Sequence, residues 1–157
     1  APTLSTMSVL HRFYSAFVQR DWSTMGRCYA EDAGFSDPVF PGLDAAGVRA
    51  MWKMLLTSGT DLRVTFTVLE EDAVRGICTW EAYYTFGRTG RKVHNRVHST
   101  FQLRDGLIYR QQDRFNFWRW STQALGPKGM LLGWSPWVRK RVISRARAGL
   151  DKVLLPG

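Results

Sequence analysis

Two aspartates that stand among apolar residues are the side chains of this sequence best suited to acid–base chemistry. Asp37 comes directly before a proline, at the end of a short predicted strand. Asp113 alternates with Gln111 and Phe115, so it shares a predicted strand face with them and with Tyr109. Burying a carboxylate among apolar groups is costly and raises its pKa towards the range in which it exchanges protons near neutral pH. We therefore predict Asp113 as a catalytic residue, with Asp37 as a second candidate.

Each aspartate also has a purely structural interpretation, which the sequence leaves open. An aspartate before a proline commonly starts a turn by accepting hydrogen bonds from the following backbone. Asp113 could instead form a buried ion pair with one of the many arginines. If the two carboxylates face one cavity, they can divide the acid and base roles, because different surroundings give them different pKa values.

Inward-facing polar and aromatic side chains would complete such a site. Asn95, Ser99 and Gln111 fall on predicted inward faces and could donate hydrogen bonds to a carbonyl or enolate, although each could equally be satisfied by another or by water. An aromatic stripe is typical of a core, but in a curved sheet with a cavity it also lines a pocket for an apolar ligand. The aromatic residues predicted to do so are Trp52, Trp80, Tyr84, Phe86 and Phe115.

The elements that must position these residues follow from the spacing of apolar side chains. Helical spacing predicts helices at 6–19, 22–29 and 45–57. From residue 61 the period changes to two, and tight turns such as Asp105–Gly106 separate the strands. The predicted strands are 33–37, 62–68, 74–88, 92–104 and 107–118. This order predicts an α+β fold, in which a strongly curved antiparallel sheet wraps on the N-terminal helices as a cone with an internal cavity.

The C-terminal segment is predicted to be a basic helical extension of the cone. Helices are expected at 118–125 and 137–154, with an apolar loop at 129–136 between them. Val138, Val142, Ala146, Leu150 and Val153 form one apolar stripe on the last helix. Three roles are open: a lid that closes the pocket, a helix that contacts an anionic membrane surface, or a solvated helix. A basic lid would favour an anionic or carrier-bound substrate.

Composition and charge narrow the class of protein. The 157 residues, 45% of them hydrophobic, suit one domain over 1–157, divided into a core cone at 1–118 and the extension at 119–157. The net charge of +9 is concentrated in residues 118–157, where eight Lys and Arg face Asp151 alone. Because the main body is nearly neutral, nucleic-acid binding by the whole domain is not expected. Cys28 and Cys78 match no metal or redox spacing, so we expect both to be reduced and buried.

Motifs for cofactors and metals are missing from the sequence. Phosphate-binding glycine loops and a serine-hydrolase elbow are absent, so no cofactor is expected. His94 and His98 lack a third ligand at metal spacing, and we expect no metal. Both lie on the predicted outward sheet face, which is either solvated or a subunit interface. We find neither the pattern of a secretory leader nor an apolar stretch long enough to span a membrane, so we expect a cytoplasmic location.

The N-terminal third resembles ketosteroid isomerases, in the SnoaL-like branch of the nuclear transport factor 2-like family. The residues that carry the resemblance are Ser8–Phe17, Asp21–Trp22, Cys28–Ala33 and Asp37–Val39. Later strands add to it through Phe86, Thr89–Lys92, Phe101 and the turn at Gly106. The resemblance covers roughly residues 7–118 and implies the same conical fold. It also implies a homodimer through the outward face of the sheet.

The resemblance also implies roles for individual residues. Asp37 matches the general base of the isomerases, and on that match we predict it as a catalytic residue. Phe13 and Ser99 stand where the isomerases carry their two oxyanion donors. Asp113 resembles the last-strand acid/base aspartate of SnoaL-like polyketide cyclases. We therefore expect cofactor-independent proton transfer, of an isomerase or cyclase kind, on a small apolar carbonyl compound that also contacts Phe13. Steroid isomerisation itself is not expected, and a non-catalytic binding protein or a dimeric interaction module is the alternative.

Overall fold

The computed structural model describes residues 7–154, so the predicted start of the first helix at residue 6 lies outside it. The helices are α1 Val9–Val18, α2 Trp22–Arg27, α3 Ala45–Ser58, α4 Phe117–Leu125, α5 Pro127–Leu132 and α6 Pro136–Leu154. The strands are β1 Tyr29–Ser36, β2 Leu43–Asp44, β3 Arg63–Glu71, β4 Arg75–Phe86, β5 Arg91–Arg104 and β6 Leu107–Arg114.

Short polar side chains begin four of these helices. Ser8, Asp21, Asp44 and Asn116 each accept a hydrogen bond from the backbone N–H three residues further on, at 2.8–3.2 Å. These bonds satisfy donors that the first turn of a helix leaves free. The caps therefore fix where α1, α2, α3 and α4 start.

The strands form one mixed sheet in the order β2-β1-β6-β5-β4-β3. The chain-adjacent strands β3 to β6 pair in antiparallel fashion, as predicted, and β4 and β5 form a hairpin from Arg75↔Gln102 to Phe86↔Arg91. One pair differs from the prediction, because β1 lies parallel to β6. No tight turn links these two strands in sequence, so nothing local imposes an antiparallel arrangement on them.

Aromatic side chains fill the concave side of the sheet. Phe13, Tyr14 and Phe17 project from α1 and Trp52 from α3, and they pack against Trp80 of β4. The ring centroids of Phe17 and Trp52 lie 4.9 Å apart, and those of Phe17 and Trp80 lie 5.1 Å apart. Such contacts add to the large free energy of burying aromatic surface. The narrow part of the cone is therefore a packed core.

The end of the last strand differs from the prediction. β6 stops at Arg114 rather than running to residue 118, because the Asn116 cap starts α4 there. A β-bulge also shifts the register of β5 against β6, so that Leu103 pairs with Ile108. Ile108 is consequently the buried residue, and Tyr109 does not share the face of Gln111 as expected.

Helix α4 covers a free edge of the sheet. β6 pairs only with the second half of β5, which leaves the N–H groups before His98 without a strand partner on that side. The side-chain Oε1 of Gln123 accepts a hydrogen bond from the His94 backbone N–H at 2.6 Å. The backbone carbonyl of Gln123 accepts one from Arg91 Nε at 2.8 Å. The extension thus protects an edge that would otherwise invite strand pairing.

The predicted loop at 129–136 is helical in its first half, because α5 runs to Leu132, and residues 133–135 connect α5 to α6. Gly129 and Gly133 face α4 so closely that a Cβ on Gly129 would lie 1.9 Å from the carbonyl oxygen of Ser121. Because glycine has no side chain, the two helices can approach each other closely. The spacing of apolar residues does not predict this contact.

Helix α6 crosses the wide end of the cone. Val142 packs against a second cluster formed by Phe117 and Trp120, whereas Ala146 and the fully buried Leu150 pack against the main core. The predicted apolar stripe is therefore present, except that Val153 is exposed. Within residues 7–154 no helix is both long enough and apolar enough to cross a membrane.

The α4–α5 contact is testable through Gly129→Ala. The added methyl would meet backbone, which cannot rotate away, so we expect a loss of about 1–3 kcal/mol in the free energy of unfolding. Urea denaturation measures it. Gly87→Ala is the matched control, since space around Gly87 is open, and it should stay within about 0.5 kcal/mol of wild type. Equal stability of the two variants would contradict the close contact.

Candidate functional site

The carboxyl group of Asp113 lies inside the cone with an exposed fraction of 2%. Its Oδ1 accepts a hydrogen bond from Ser99 Oγ at 2.6 Å and another from Gln111 Nε2 at 3.0 Å. Strand pairing places Ser99 directly opposite Asp113, while Gln111 stands two residues before it on the same face. The alternation of side chains along β6 therefore places Gln111 and Asp113 on one buried face, as the sequence predicted.

Each of the two donors is itself held by a tryptophan. Trp80 Nε1 donates to Ser99 Oγ at 2.8 Å. On the other side, Trp52 Nε1 donates to the Tyr29 hydroxyl at 2.9 Å, and that hydroxyl donates to Gln111 Oε1 at 2.5 Å. An indole N–H can only donate, so the direction of every bond in both chains is fixed. Both chains end by donating to Asp113.

Because both hydrogen bonds are donated to Oδ1, any proton transfer by Asp113 must use its second oxygen, Oδ2. Because Oδ1 receives two donors, a proton on the carboxyl group must reside on Oδ2. Burial raises the pKa of Asp113 to about 7, against the opposing effect of the Ser99 and Gln111 hydrogen bonds, and the charge of Asp37 raises it further. A carboxyl group with this pKa is partly protonated and partly ionised at neutral pH.

The alternative of a buried ion pair does not apply to Asp113. Across residues 7–154, no lysine or arginine forms a salt bridge with it. The absence of a cation explains why burial dominates and the pKa rises. A buried carboxyl group without a counter-ion is an arrangement that enzymes use for acid–base work.

Asp37 combines the turn role with a perturbed environment. Its Oδ1 accepts hydrogen bonds from the backbone N–H groups of Val39 at 2.7 Å and Phe40 at 2.6 Å, as expected for an aspartate that starts a turn. Burial nevertheless raises its pKa, and the two backbone bonds counteract only part of that rise. The charge of Asp37 acts on both Asp113 and Tyr84, so the two predicted aspartates border one region.

That region is the wide end of the cone, between the main core and the α4 cluster. Trp120 Nε1 donates to the Tyr84 hydroxyl at 2.7 Å, which leaves the proton of that hydroxyl free to be donated. Phe115 packs against both clusters, and Phe86 meets Trp120 edge to face at 5.5 Å. Asn95 of β5 is half-buried and pairs with Ala82 of β4, two residues before Tyr84.

The remaining predicted ligand-binding residues lie deeper. Phe13, Trp52 and Trp80 have exposed fractions of 0%, 3% and 8%, and they pack against one another or shared neighbours in the core. Two surface depressions, of about 500 and 800 Å³, both lie on the outward side of the sheet. The smaller depression reaches Trp80, but neither is lined by Phe13 or Trp52. A ligand that touches Phe13 or Trp52 therefore requires the core to open.

Three polar aromatic residues of this region escaped the sequence analysis. Tyr29 links Trp52 to Gln111, and Trp120 binds Tyr84. Tyr14 is fully buried close enough to Asp113 for that charge to raise its pKa further, and its hydroxyl makes no hydrogen bond within the described residues. Periodicity assigned Tyr14 to the buried face of α1, but it carries no information on hydrogen bonding.

The histidines and cysteines form no further candidate site within the described residues. His94 stacks on Tyr83 with centroids 4.2 Å apart, and its Nε2 lies 2.9 Å from Glu81. No three His, Cys, Asp or Glu side chains between residues 7 and 154 lie as a metal ion would need them. Cys28 and Cys78 are buried and unpaired, which confirms the prediction for them. The homodimer through the outward face stays a prediction.

The conical sheet wrapped on N-terminal helices is the nuclear transport factor 2-like fold. The chain belongs to the SnoaL-like domain family, whose model matches residues 10–111. The match ends before Asp113 and does not reach α4 to α6. No curated protein matches the chain.

Three solved structures show the likeness of this fold to known proteins. A candidate polyketide cyclase from Silicibacter sp. TM1040 is 20% identical over 74% of this chain and 92% of its own, with a TM-score of 0.65. IdmH, a candidate polyketide cyclase from Streptomyces antibioticus, is 19% identical over 78% and 98%, with a TM-score of 0.61. AclR, a candidate hydroxylase from Streptomyces galilaeus, is 16% identical over 79% and 94%, with a TM-score of 0.60. At these identities the likeness establishes the fold.

The protonation of Asp113 makes stability depend on pH. Its pKa is about 7 when folded and about 3.9 when unfolded, so its contribution is complete below about pH 4 and is lost as the pH rises through 7. The loss amounts to at most about 4 kcal/mol. Asp113→Asn mimics the protonated group and should remove this dependence, as urea denaturation at several pH values will show.

The exposed Asp105→Asn variant is the control for that measurement, because it also deletes one carboxyl group. It should keep the pH profile of wild type. If wild type and Asp113→Asn lost stability in parallel between pH 5 and 8, the elevated pKa of Asp113 would be wrong.

Proposed function

We propose that this protein is a cofactor-independent general acid/base enzyme that moves a proton on a small apolar carbonyl compound. The observation that carries the proposal is the uncompensated buried carboxyl group of Asp113, whose Oδ1 is held by donors while Oδ2 remains for the reaction. The SnoaL-like family, with structural neighbours described as candidate cyclases, supports chemistry of this general kind.

The proposed step begins with Asp37. Its second oxygen removes a proton from the carbon beside the carbonyl, and the electrons of the broken C–H bond move towards the carbonyl oxygen. Asp113, protonated on Oδ2, then delivers its proton to the enolate at a second position. Afterwards the proton on Asp37 passes to Asp113, directly or through water, which restores the starting state. Neighbouring carboxyl groups with different surroundings commonly divide acid and base roles in this way.

Tyr84 is the best placed donor for the developing negative charge. The Ser99 hydroxyl is committed to Asp113 and to Trp80, so it cannot also serve the substrate. The Tyr84 hydroxyl accepts from Trp120, and that bond makes it a better donor. A donor at this place substitutes for the oxyanion donors that Phe13 and Ser99 do not supply.

The burial of Asp113 supports a lid role for the C-terminal helices. With Asp113 almost fully buried, a substrate reaches it only if the wide end of the cone opens. Val142 of α6, together with Phe117 and Trp120 of α4, closes that end. Exclusion of water by such a lid also keeps the pKa of Asp113 elevated.

The test uses 2-tetralone, an apolar aromatic ketone, and follows exchange of its α-hydrogens for deuterium by NMR. Asp37→Asn and Asp113→Asn should each slow protein-catalysed exchange by about 10²-fold or more, because each removes a proton-transfer group. Tyr84→Phe should slow it by a comparable factor. Asp105→Asn should exchange as wild type does.

Two results would change the assignment. Wild-type exchange in both aspartate variants would remove the two carboxyl groups from the mechanism. Binding of 2-tetralone without catalysed exchange would instead favour the alternative, a binding protein of the same fold. The lack of oxyanion donors at Phe13 and Ser99 is the observation that favours this alternative, because Phe13 has no polar group and the Ser99 hydroxyl is bonded to Asp113.

A further inference from the structure

A cluster of exposed apolar residues lies at the junction of α4, α5 and α6, away from Asp113. All three exposed tryptophans of the described chain belong to it, and Trp134 and Leu131 are the most exposed members at 73% and 67%. We call this cluster the aromatic tip; its members are Trp118, Met130, Leu131, Leu132, Trp134 and Trp137. Isolated exposed apolar residues are ordinary, but a contiguous group of this size marks an interaction surface.

The structure holds the aromatic tip outward. Gly129 and Gly133 occupy the face of α5 that presses against Ser121, so the large side chains of α5 must project on its other faces. Trp118 Nε1 donates to the Met130 carbonyl at 3.0 Å, and Trp134 Nε1 donates to the Leu131 carbonyl at 2.7 Å. The polar groups of both rings are thus satisfied within the tip, and the apolar surfaces are presented together.

A basic surface adjoins the tip along α6. Its apolar stripe packs on the cone, so Arg139, Lys140, Arg141, Arg145 and Arg147 lie on the exposed side. Repulsion from Arg88 and Arg141 lowers the pKa of Arg145, which shows that these cations are crowded. Asp151, the one acidic residue of segment 118–154, pairs with Arg147. The excess charge therefore calls for an anionic partner.

We propose that the aromatic tip and the basic surface of α6 dock the protein on an anionic phospholipid bilayer. The tryptophan, leucine and methionine side chains enter the headgroup region, and the neighbouring arginines and lysines contact lipid phosphates. The protein lies on the membrane, because its apolar helix face stays packed against the cone. This docking is independent of the proposed proton transfer, since the tip contains none of its residues.

Other partners fit this surface less well. A second copy would bring two basic surfaces together, and like charges in contact oppose association. Nucleic acid would account for the arginines and for stacking on tryptophan, but Met130, Leu131 and Leu132 would gain nothing from phosphates or base edges. Of these three partners, only an anionic bilayer offers both an apolar layer and a surface of negative charge.

Flotation with vesicles tests the proposal. Wild type should bind vesicles of phosphatidylcholine containing about one third phosphatidylglycerol, and it should bind pure phosphatidylcholine vesicles at least about 10-fold more weakly. Binding to the anionic vesicles should weaken as salt is raised. Leu131→Ser/Trp134→Ser and Lys140→Gln/Arg141→Gln should each lower the partition coefficient by about 10-fold or more.

Leu69→Ser/Val74→Ser is the matched control, because it removes two apolar residues that are similarly exposed on the β3–β4 side of the domain. This variant should bind as wild type does. Equal binding to both vesicle types, or wild-type binding by Leu131→Ser/Trp134→Ser, would overturn the proposal. So would sedimentation that shows wild-type dimers abolished by Leu131→Ser/Trp134→Ser with no vesicle binding, since the tip would then be a contact between copies.

Discussion

A buried carboxyl group with no cation beside it among residues 7–154 is the constraint on which the rest of this structure depends. Ionised carboxylates in apolar surroundings normally bring an arginine or lysine with them, and the cost of removing both from water is then shared. Here Asp113 is held only by neutral donors, Ser99 and Gln111. The cost of ionisation remains, so the group keeps its proton to an unusually high pH.

The same aromatic residues provide both the packing and the polar support of that carboxyl group. Trp52 and Trp80 fill the cone with their rings while their indole N–H groups begin the two hydrogen-bond chains. Their rotation is limited by close aromatic neighbours such as Phe17. Core packing and the position of Asp113 therefore cannot vary independently, which is how a rigid scaffold preorganises a reactive group.

The sequence predicted the architecture better than it predicted the site. Periods of 3.6 and 2 gave the helices and the long hairpins, and alternation alone brought Ser99, Gln111 and Asp113 together. It misplaced Tyr109, because a β-bulge inserts a residue without any mark in the apolar pattern. It also expected an open pocket, since a curved sheet implies a cavity but does not reveal whether Phe13, Trp52 and Trp80 fill it. The contribution of Tyr29 depends on a contact across most of the chain, which local patterns cannot report.

That long-range contact has a consequence for how the protein folds. Tyr29 and Gln111 are 82 positions apart, and the parallel ladder of β1 with β6 closes the same long loop. Pairing over such a distance forms late, because the entropy of closing the loop must be overcome first. Until β6 docks, Asp113 is in water and ionised at neutral pH; after docking, its pKa of about 7 leaves it partly protonated. The last step of folding is therefore coupled to uptake of a proton, and the speed at which this domain matures should depend on the acidity of its surroundings.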